Sequence, residues 1–246
     1  MKHPLFIAFV LFLAMSQTKA QQVAPDEIKT TKGMLKIQPI THASLVLTWN
    51  GKTMYIDPTG GAAAYRGLPA PDMILITDIH GDHMDAKTLE EVNAAQAILI
   101  APQAVADMLP ASVKDKLIIL KNGDKTEQLG VSATAIPMYN IPQPSNFHPK
   151  GRGNGYVLNA GGKNVYISGD TQGIPEMQAL KNIDIAFVCM NLPYTMEVNE
   201  AAKSVLAFKP AIVYPYHHRG QDVNLFKKLV NEGDQKIEVR LKNWYP

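Results

Sequence analysis

Cysteine is nearly absent from this sequence of 246 residues, in which Cys189 is the single one. One thiol cannot form an internal disulfide, so the core must stabilise the fold, and Cys189, which follows an apolar run, is predicted to be a buried packing residue. Excess charge of one sign is also lacking, because 24 Lys and Arg oppose 22 Asp and Glu without a basic run. This balance argues against nucleic acid or an anionic membrane surface as a partner.

Long hydrophobic runs are scarce too, and one short run lies near the N-terminus. Lys2 precedes an apolar run over residues 5–15, and small and polar residues follow it up to Ala20. This order is typical of a secretory signal peptide, and the run is shorter than the roughly 20 residues of a membrane-spanning helix. We therefore predict a signal peptide over residues 1–20, an exported protein in the periplasm or secreted, and no stable membrane insertion after cleavage. An uncleaved anchor is the alternative.

Residues 21–246 are predicted to form a single α/β domain. With 46% hydrophobic and 19% charged residues, the chain is long enough to bury a substantial core. Residues 21–32 are predicted to be a loose lead-in, and three strand-like runs follow between residues 34 and 56, with Asn50-Gly51 as a hairpin turn. Helix and strand patterns then alternate, which predicts two sheets with helices on their outer faces.

The stretch after a predicted buried strand at residues 73–77 carries four potential metal ligands in six positions. They are Asp78, His80, Asp82 and His83. A loop at the carboxyl end of a buried strand is where α/β proteins usually place their chemistry. A polar turn rich in Asp, Gly and His also occurs without a metal, so potential ligands elsewhere in the chain decide between the two interpretations.

Histidines in the rest of the chain support the metal interpretation. They lie at or just beyond apolar runs or in loops rich in Gly and Pro, and none lies on a predicted helix. Strand ends are expected to bring His148 from a second loop, Asp170 from a third and His217 from a fourth toward the first cluster. The predicted loop at residues 139–155 carries His148 and a glycine run, which we interpret as flexible backbone beside a pocket.

This pattern resembles the metallo-β-lactamase fold superfamily of metal-dependent hydrolases. The first motif of the superfamily is His-x-His-x-Asp-His, and residues 78–83 match it except that Asp78 stands in the first His position. The later ligands of the superfamily correspond to His148, Asp170 in Gly-Asp-Thr and His217 in Tyr-Pro-Tyr-His-His. The spacing is most similar to the branch that contains ascorbate-phosphate lactonase and phospholipase-D-like phosphodiesterases.

The resemblance implies a four-layer αββα sandwich and a centre with two divalent metal ions, zinc being the expected metal. It implies that Asp78, His80 and His148 bind one ion, that Asp82, His83 and His217 bind the other, and that Asp170 bridges them. A carboxylate at Asp78 would make its site more tolerant of manganese or iron. The alternative is that Asp78 faces away and a single ion binds.

A metal-activated hydroxide would then cleave a lactone, an ester or a phosphodiester in a small-molecule substrate. The catalytic residues would be Asp82, Asp170 and His218. Other residues are expected to support the ligands or contact the substrate, and they are His42, Asp57, Tyr139, Asn140, Asn146, Arg152, Asn191, Tyr194 and Arg219. The alternative functions are a true β-lactamase and a non-catalytic exported metal-binding protein.

Overall fold

A computed structural model describes residues 23–246, so the predicted signal peptide at residues 1–20 lies outside the described residues. Within residues 23–246, two sheets contain seven strands each, and the spatial order of the strands equals their chain order. The first sheet comprises β1 Asp26–Thr30, β2 Gly33–Thr41, β3 Ser44–Trp49, β4 Lys52–Ile56, β5 Met73–Leu75, β6 Ile98–Ala101 and β7 Leu117–Ile119. The second comprises β8 Lys125–Gln128, β9 Val131–Met138, β10 Gly153–Ala160, β11 Lys163–Ile167, β12 Ile185–Cys189, β13 Ile212–Tyr216 and β14 Glu238–Val239.

The two sheets share one pattern of strand directions. In the first sheet, β1 to β4 are antiparallel neighbours and β4 to β7 are parallel neighbours. In the second sheet, β8 to β11 are antiparallel and β11 to β14 are parallel. Parallel strands require crossover connections, so their carboxyl ends leave long loops at one edge of each sheet.

Five α-helices occur in the described part of the chain, and they are α1 Ala86–Glu91, α2 Gln103–Met108, α3 Pro175–Gln178, α4 Val198–Phe208 and α5 Val223–Gly233. Asp85 caps α1, because its side chain accepts a hydrogen bond from the Lys87 backbone nitrogen at 3.0 Å. Asp222 caps α5 in the same way, at 2.9 Å from the Asn224 nitrogen. Within residues 23–246 none of these helices has the length and apolarity needed to cross a bilayer.

Alternation along β3 shows how the layers pack. Leu45 and Leu47 belong to the apolar cluster that also contains Leu158 of the second sheet, whereas Val46 belongs to a separate cluster with Leu89 of α1. All three β3 residues are at most 1% exposed, and burial of each such side chain contributes about 1.5–3 kcal/mol. Both faces of the first sheet are therefore covered. Apolar residues of α4 and α5 belong to the same cluster as the strands of the second sheet, so these helices cover that sheet. The predicted four-layer αββα sandwich is thereby confirmed.

The predicted lead-in at residues 21–32 is wrong, because these residues contain β1. This strand pairs with β2 and has the polar sequence of an edge strand, so apolar periodicity does not reveal it. Asp26 holds it to the second sheet by accepting hydrogen bonds from Tyr214 at 2.7 Å and from Arg240 at 3.2 Å.

The predicted loop at residues 139–155 ends earlier than expected, since β10 begins at Gly153. A Cβ atom on Gly153 would lie 2.8 Å from the Thr77 carbonyl oxygen, so only glycine allows this approach. The neighbouring Asn154 nitrogen donates to that same oxygen at 2.9 Å. The glycine run thus joins the second sheet to the end of β5 and fixes Arg152 beside the loop that follows.

Candidate metal centre

Loops from both sheets meet at one edge of the sandwich, and the structure brings the seven predicted ligands together there. The loop after β5 carries Asp78, His80, Asp82 and His83; the loop between β9 and β10 carries His148; the loops after β11 and β13 carry Asp170 and His217. Backbone hydrogen bonds fix this edge, since the His217 nitrogen donates to the His42 carbonyl oxygen at 3.2 Å.

Asp170 is the point on which three imidazoles converge. Its carboxylate oxygens lie 3.2 Å from His83 Nε2, 3.1 Å from His148 Nε2 and 3.3 Å from His217 Nε2. All four side chains are at most 4% exposed. None of the three Nε2 atoms makes a hydrogen bond, and Asp170 Oδ1 makes none either.

Asp57 determines which nitrogen of His83 carries the proton. The Thr77 backbone N–H and hydroxyl donate to the two Asp57 oxygens at 2.7 and 2.6 Å, and His83 Nδ1 lies 2.8 Å from Asp57 Oδ2. A carboxylate accepts, so His83 donates from Nδ1 and its Nε2 lone pair faces Asp170. This is the arrangement that orients histidines toward metal ions.

Asn140 performs the same task for His148. Its Nδ2 donates to the Tyr194 carbonyl oxygen at 2.8 Å, which leaves its Oδ1 facing His148 Nδ1 at 2.6 Å. An amide oxygen accepts, so His148 also carries its proton on Nδ1. The Nε2 lone pair of His148 therefore points at Asp170, as that of His83 does.

Lone pairs that face a carboxylate require a positive charge between them. Each buried polar atom left without a partner costs about 1–3 kcal/mol, and a cation among the Nε2 atoms and Asp170 would remove that cost. Burial would raise the pKa of Asp170, but His217 and His83 outweigh it and hold this pKa well below its usual range. Burial would lower the pKa of His83, but Asp170 and Asp57 raise it well above its usual range, so without a metal a proton on Nε2 supplies this charge. The residues present therefore fit a divalent metal ion at this point.

Asp82 borders the same centre on its more open side. Its Oδ2 lies 3.1 Å from His42 Nε2 and 3.4 Å from His217 Nε2, and its side chain is 36% exposed. Tyr245 fixes His42 from behind, with its hydroxyl 2.8 Å from His42 Nδ1. Burial would raise the pKa of Asp82, but the nearby His217 ring and the hydrogen bond with His42 outweigh it and hold this pKa far below its usual range. Asp82 is therefore an ionised carboxylate that solvent can reach.

Asp78 lies on the opposite side and is paired with an arginine. Arg152 Nε lies 3.0 Å from Asp78 Oδ1, and Arg152 Nη2 lies 2.8 Å from Asp78 Oδ2. The same Nη2 is 3.3 Å from His80 Nε2, while His80 Nδ1 is 3.0 Å from Asp78 Oδ2. Asp78 is fully buried, and the Arg152 side chain is 17% exposed.

Backbone strain concentrates at this edge of the sandwich. The residues His42, Asp57, His217 and Arg219 adopt φ values of 50°, 44°, 48° and 35°. Left-handed backbone costs of order 1–3 kcal/mol at such residues and persists only where surrounding contacts fix it. The strain is typical of a functional site.

A cavity of about 250 Å³ opens above the centre. One wall is apolar, because Phe147 and Tyr194 meet edge to face with ring centroids 5.1 Å apart. The cavity is lined by His80, Asp82, Phe147, His148, Asp170, Asn191, Tyr194, His217 and Arg219. A larger groove of about 630 Å³ beside α5 and β14 is lined by no histidine and no cysteine, so we assign no chemistry to it.

Within residues 23–246, three predicted site residues neither line the cavity nor hydrogen-bond to a predicted ligand. The Tyr139 hydroxyl donates to Glu176 at 2.9 Å instead, and Asn146 is exposed on the loop surface. The His218 ring packs against Tyr245, with centroids 5.0 Å apart, and the cavity lining does not include it. The geometry therefore gives no support to the predicted catalytic role of His218.

Two residues that were not among the predicted site residues belong to the site. Phe147 precedes His148 in a polar loop. An apolar aromatic residue next to a predicted ligand could have identified Phe147 as a cavity residue from the sequence. Tyr245 has no comparable signal, because it reaches His42 only through the return of the C-terminal segment, where the His42 nitrogen donates to the Trp244 carbonyl oxygen at 2.8 Å.

Comparison with known proteins agrees with this geometry. Residues 36–217 match the family model of the β-lactamase superfamily domain. A UPF0173 metal-dependent hydrolase of Pyrococcus abyssi is 30% identical over 224 residues, which cover 85% of this chain and 97% of the relative. A crystal structure from Parabacteroides distasonis is 39% identical with a TM-score of 0.81, covering 89% of this chain and 98% of that one. Igni18, a metallo hydrolase of Ignicoccus hospitalis, shares the fold at 22% identity, with a TM-score of 0.69 and coverage of 84% and 94%.

The fold and the site define a metal-dependent hydrolase of the β-lactamase superfamily. The chain belongs to this superfamily and, within it, to the UPF0173 metal-dependent hydrolase family. The resemblance to the superfamily is thereby confirmed. The closer resemblance to the lactonase-like branch stays a prediction.

Proposed function

We propose that this hydrolase cleaves a lactone, a carboxylic ester or a phosphodiester in a small molecule at the Asp170 centre. The observation that carries the proposal is the convergence of three buried Nε2 lone pairs on the Asp170 carboxylate. A divalent cation held there, with zinc as our proposed metal, would polarise the scissile group and lower the pKa of a water molecule.

The protein side chains would orient the reactants around that cation. Asp82 stays ionised and is partly exposed at the cavity, so it can accept a hydrogen bond from the attacking water and aim it at the scissile bond. His42 and Tyr245 hold the Asp82 carboxylate in place. The Asp170 carboxylate would hold the three imidazoles in one arrangement.

The cavity walls favour a substrate with one apolar and one polar end. Phe147 and Tyr194 are each 41% exposed and present ring surface to the cavity. Arg219 also lines the cavity, and its side chain is exposed. We therefore propose that an aryl or alkyl group of the substrate packs on the two rings and that a carboxylate or phosphate oxygen contacts Arg219.

A substrate panel tests the proposal. Purified zinc-loaded protein would be assayed with p-nitrophenyl butyrate, a γ-lactone, bis-p-nitrophenyl phosphate and nitrocefin, alongside Asp170→Asn. We expect turnover of at least one of the first three that Asp170→Asn abolishes. Turnover of nitrocefin alone would favour the β-lactamase alternative, and inactivity on the whole panel would contradict the proposal.

We also propose that the protein is exported and cleaved after Ala20. The supporting observation is the short apolar run at residues 5–15 behind Lys2. Intact mass measurement of the protein from the periplasm or medium tests this, and we expect a mature chain that begins at Gln21. A full-length chain retained in the membrane fraction would contradict it.

A further inference from the structure

The two sides of the centre differ in the lone pairs that they leave free. On the side of His83 and His148, Asp57 and Asn140 take up Nδ1, so Nε2 can bind a cation. On the side of Asp78, Arg152 donates one hydrogen bond to each carboxylate oxygen. This fork neutralises the carboxylate on which a cation at that side would depend.

Arg152 also removes His80 from the set of ligands. Its Nη2 lies 3.3 Å from His80 Nε2, and a guanidinium can only donate, so Nε2 accepts. The proton of a neutral His80 must then sit on Nδ1, which faces Asp78 Oδ2 at 3.0 Å. Both ring nitrogens of His80 are thereby engaged within the Arg152–Asp78–His80 triad.

The charge of Arg152 cannot be released to make room for a metal. An arginine stays protonated at all physiological pH values, and its side chain is only 17% exposed, so water screens it weakly. A second divalent cation between Asp78 and His80 would stand beside this fixed positive charge. Asp78, His80 and His148 lie close enough to form a candidate metal group, but His148 Nε2 is 3.1 Å from Asp170 Oδ2 and 3.8 Å from Asp78 Oδ2, so it lies nearer to Asp170.

We propose that the centre holds a single divalent cation, among His83, His217 and Asp170, and that the Arg152 guanidinium takes the place of a second one. The inference rests on the proposed function, because it presupposes that the Asp170 centre binds a metal. It assigns Arg152 a role as a positioning residue, which keeps Asp78 and His80 out of coordination.

The number of bound ions tests this inference directly. The full chain would be equilibrated with excess Zn²⁺, passed through a desalting column, and examined by native mass spectrometry and elemental analysis. We expect one ion per chain in the wild type. Two ions per chain would overturn the inference while leaving the proposed function intact, whereas no bound ion would overturn both.

Variants test whether Arg152 sets that number. We expect Arg152→Met to bind a second ion, because the substitution frees Asp78 and His80 from the guanidinium. We expect the double variant Arg152→Met with Asp78→His to bind a second ion as well, because it offers two free imidazoles at positions 78 and 80. Lys150→Met is the matched control, because it removes a cation of the same loop that pairs with Glu176, and it should keep one ion. One ion in both Arg152 variants would contradict the role of Arg152.

A measurement on the wild type covers the case in which the Arg152 variants do not fold. Mn²⁺-loaded wild-type protein would be examined by electron paramagnetic resonance. A six-line spectrum of an isolated ion is expected, and the spectrum of an exchange-coupled pair would overturn the inference.

Discussion

The two sides of the centre are built from the same residue types and differ in what stands behind them. On one side, Asp57 and Asn140 accept hydrogen bonds from His83 and His148, and the outer nitrogens are free. On the other side, Arg152 donates to Asp78 and His80, and their acceptor atoms are occupied. We infer that the direction of the hydrogen bonds behind a side chain, more than its identity, decides whether it can bind a metal.

Loss of Asp170 should have the largest effect on zinc binding and turnover. Asp170→Asn removes the charge on which three imidazoles converge. We expect zinc affinity to fall by more than about 100-fold, the upper range for loss of a supporting partner, and turnover to fall to the background. Isothermal titration calorimetry and the hydrolysis assay measure the two effects. Unchanged affinity would place the metal elsewhere.

Loss of Asp57 should have the next largest effect. Asp57→Asn removes the carboxylate that fixes the proton of His83 on Nδ1, so we expect zinc affinity to fall by about 10–100-fold. Asp72→Asn is the matched control. Asp72 lies outside the centre, and like Asp57 it accepts hydrogen bonds from a backbone nitrogen, that of Thr53, and from a side chain, that of Lys52. An equal loss in both variants would point to general destabilisation.

The apolar wall should affect the substrate and leave the metal unaffected. Phe147→Ala removes the edge-to-face contact with Tyr194 and one exposed ring of the cavity. We expect KM for an aryl or alkyl ester to rise by about 2–10-fold, since aromatic contacts contribute about 0.5–1.5 kcal/mol, with zinc affinity unchanged. Steady-state kinetics on butyrate and acetate esters measures this. Equal KM values for the wild type and the variant would exclude a substrate contact.

Loss of His80 should have the smallest effect on the metal. His80→Ala removes a ring whose two nitrogens face Arg152 and Asp78, so we expect zinc affinity equal to that of the wild type. The comparison with His83→Ala, in which a free Nε2 is lost, makes the contrast between the two sides measurable in one titration series. An equal loss in both variants would mean that His80 is also a ligand.

Sequence reasoning predicted the residues of the centre because motif and strand ends are local features. Residues 78–83 lie in the loop after β5, Asp170 lies in the loop after β11, and His217 follows the last residue of β13. The two sheets with outer helices followed from the alternating helix and strand patterns, whereas the four-layer order was implied by the family resemblance.

Contacts between distant segments could not be predicted in this way. The Arg152–Asp78 fork joins residues far apart in sequence, and it forms only because Gly153 allows β10 to approach the end of β5. Likewise, Tyr245 reaches His42 from the far end of the chain, and the polar strand β1 is held by Tyr214 of the other sheet. Each depends on tertiary packing, which local patterns do not encode.

A crystal structure of the zinc-loaded wild type, with anomalous differences recorded at the zinc edge, tests the central claim most directly. We predict one anomalous peak within bonding distance of Asp170 and of the Nε2 atoms of His83 and His217, with the Arg152–Asp78 fork intact. A second peak between Asp78 and His80, or no peak beside Asp170, would contradict the account.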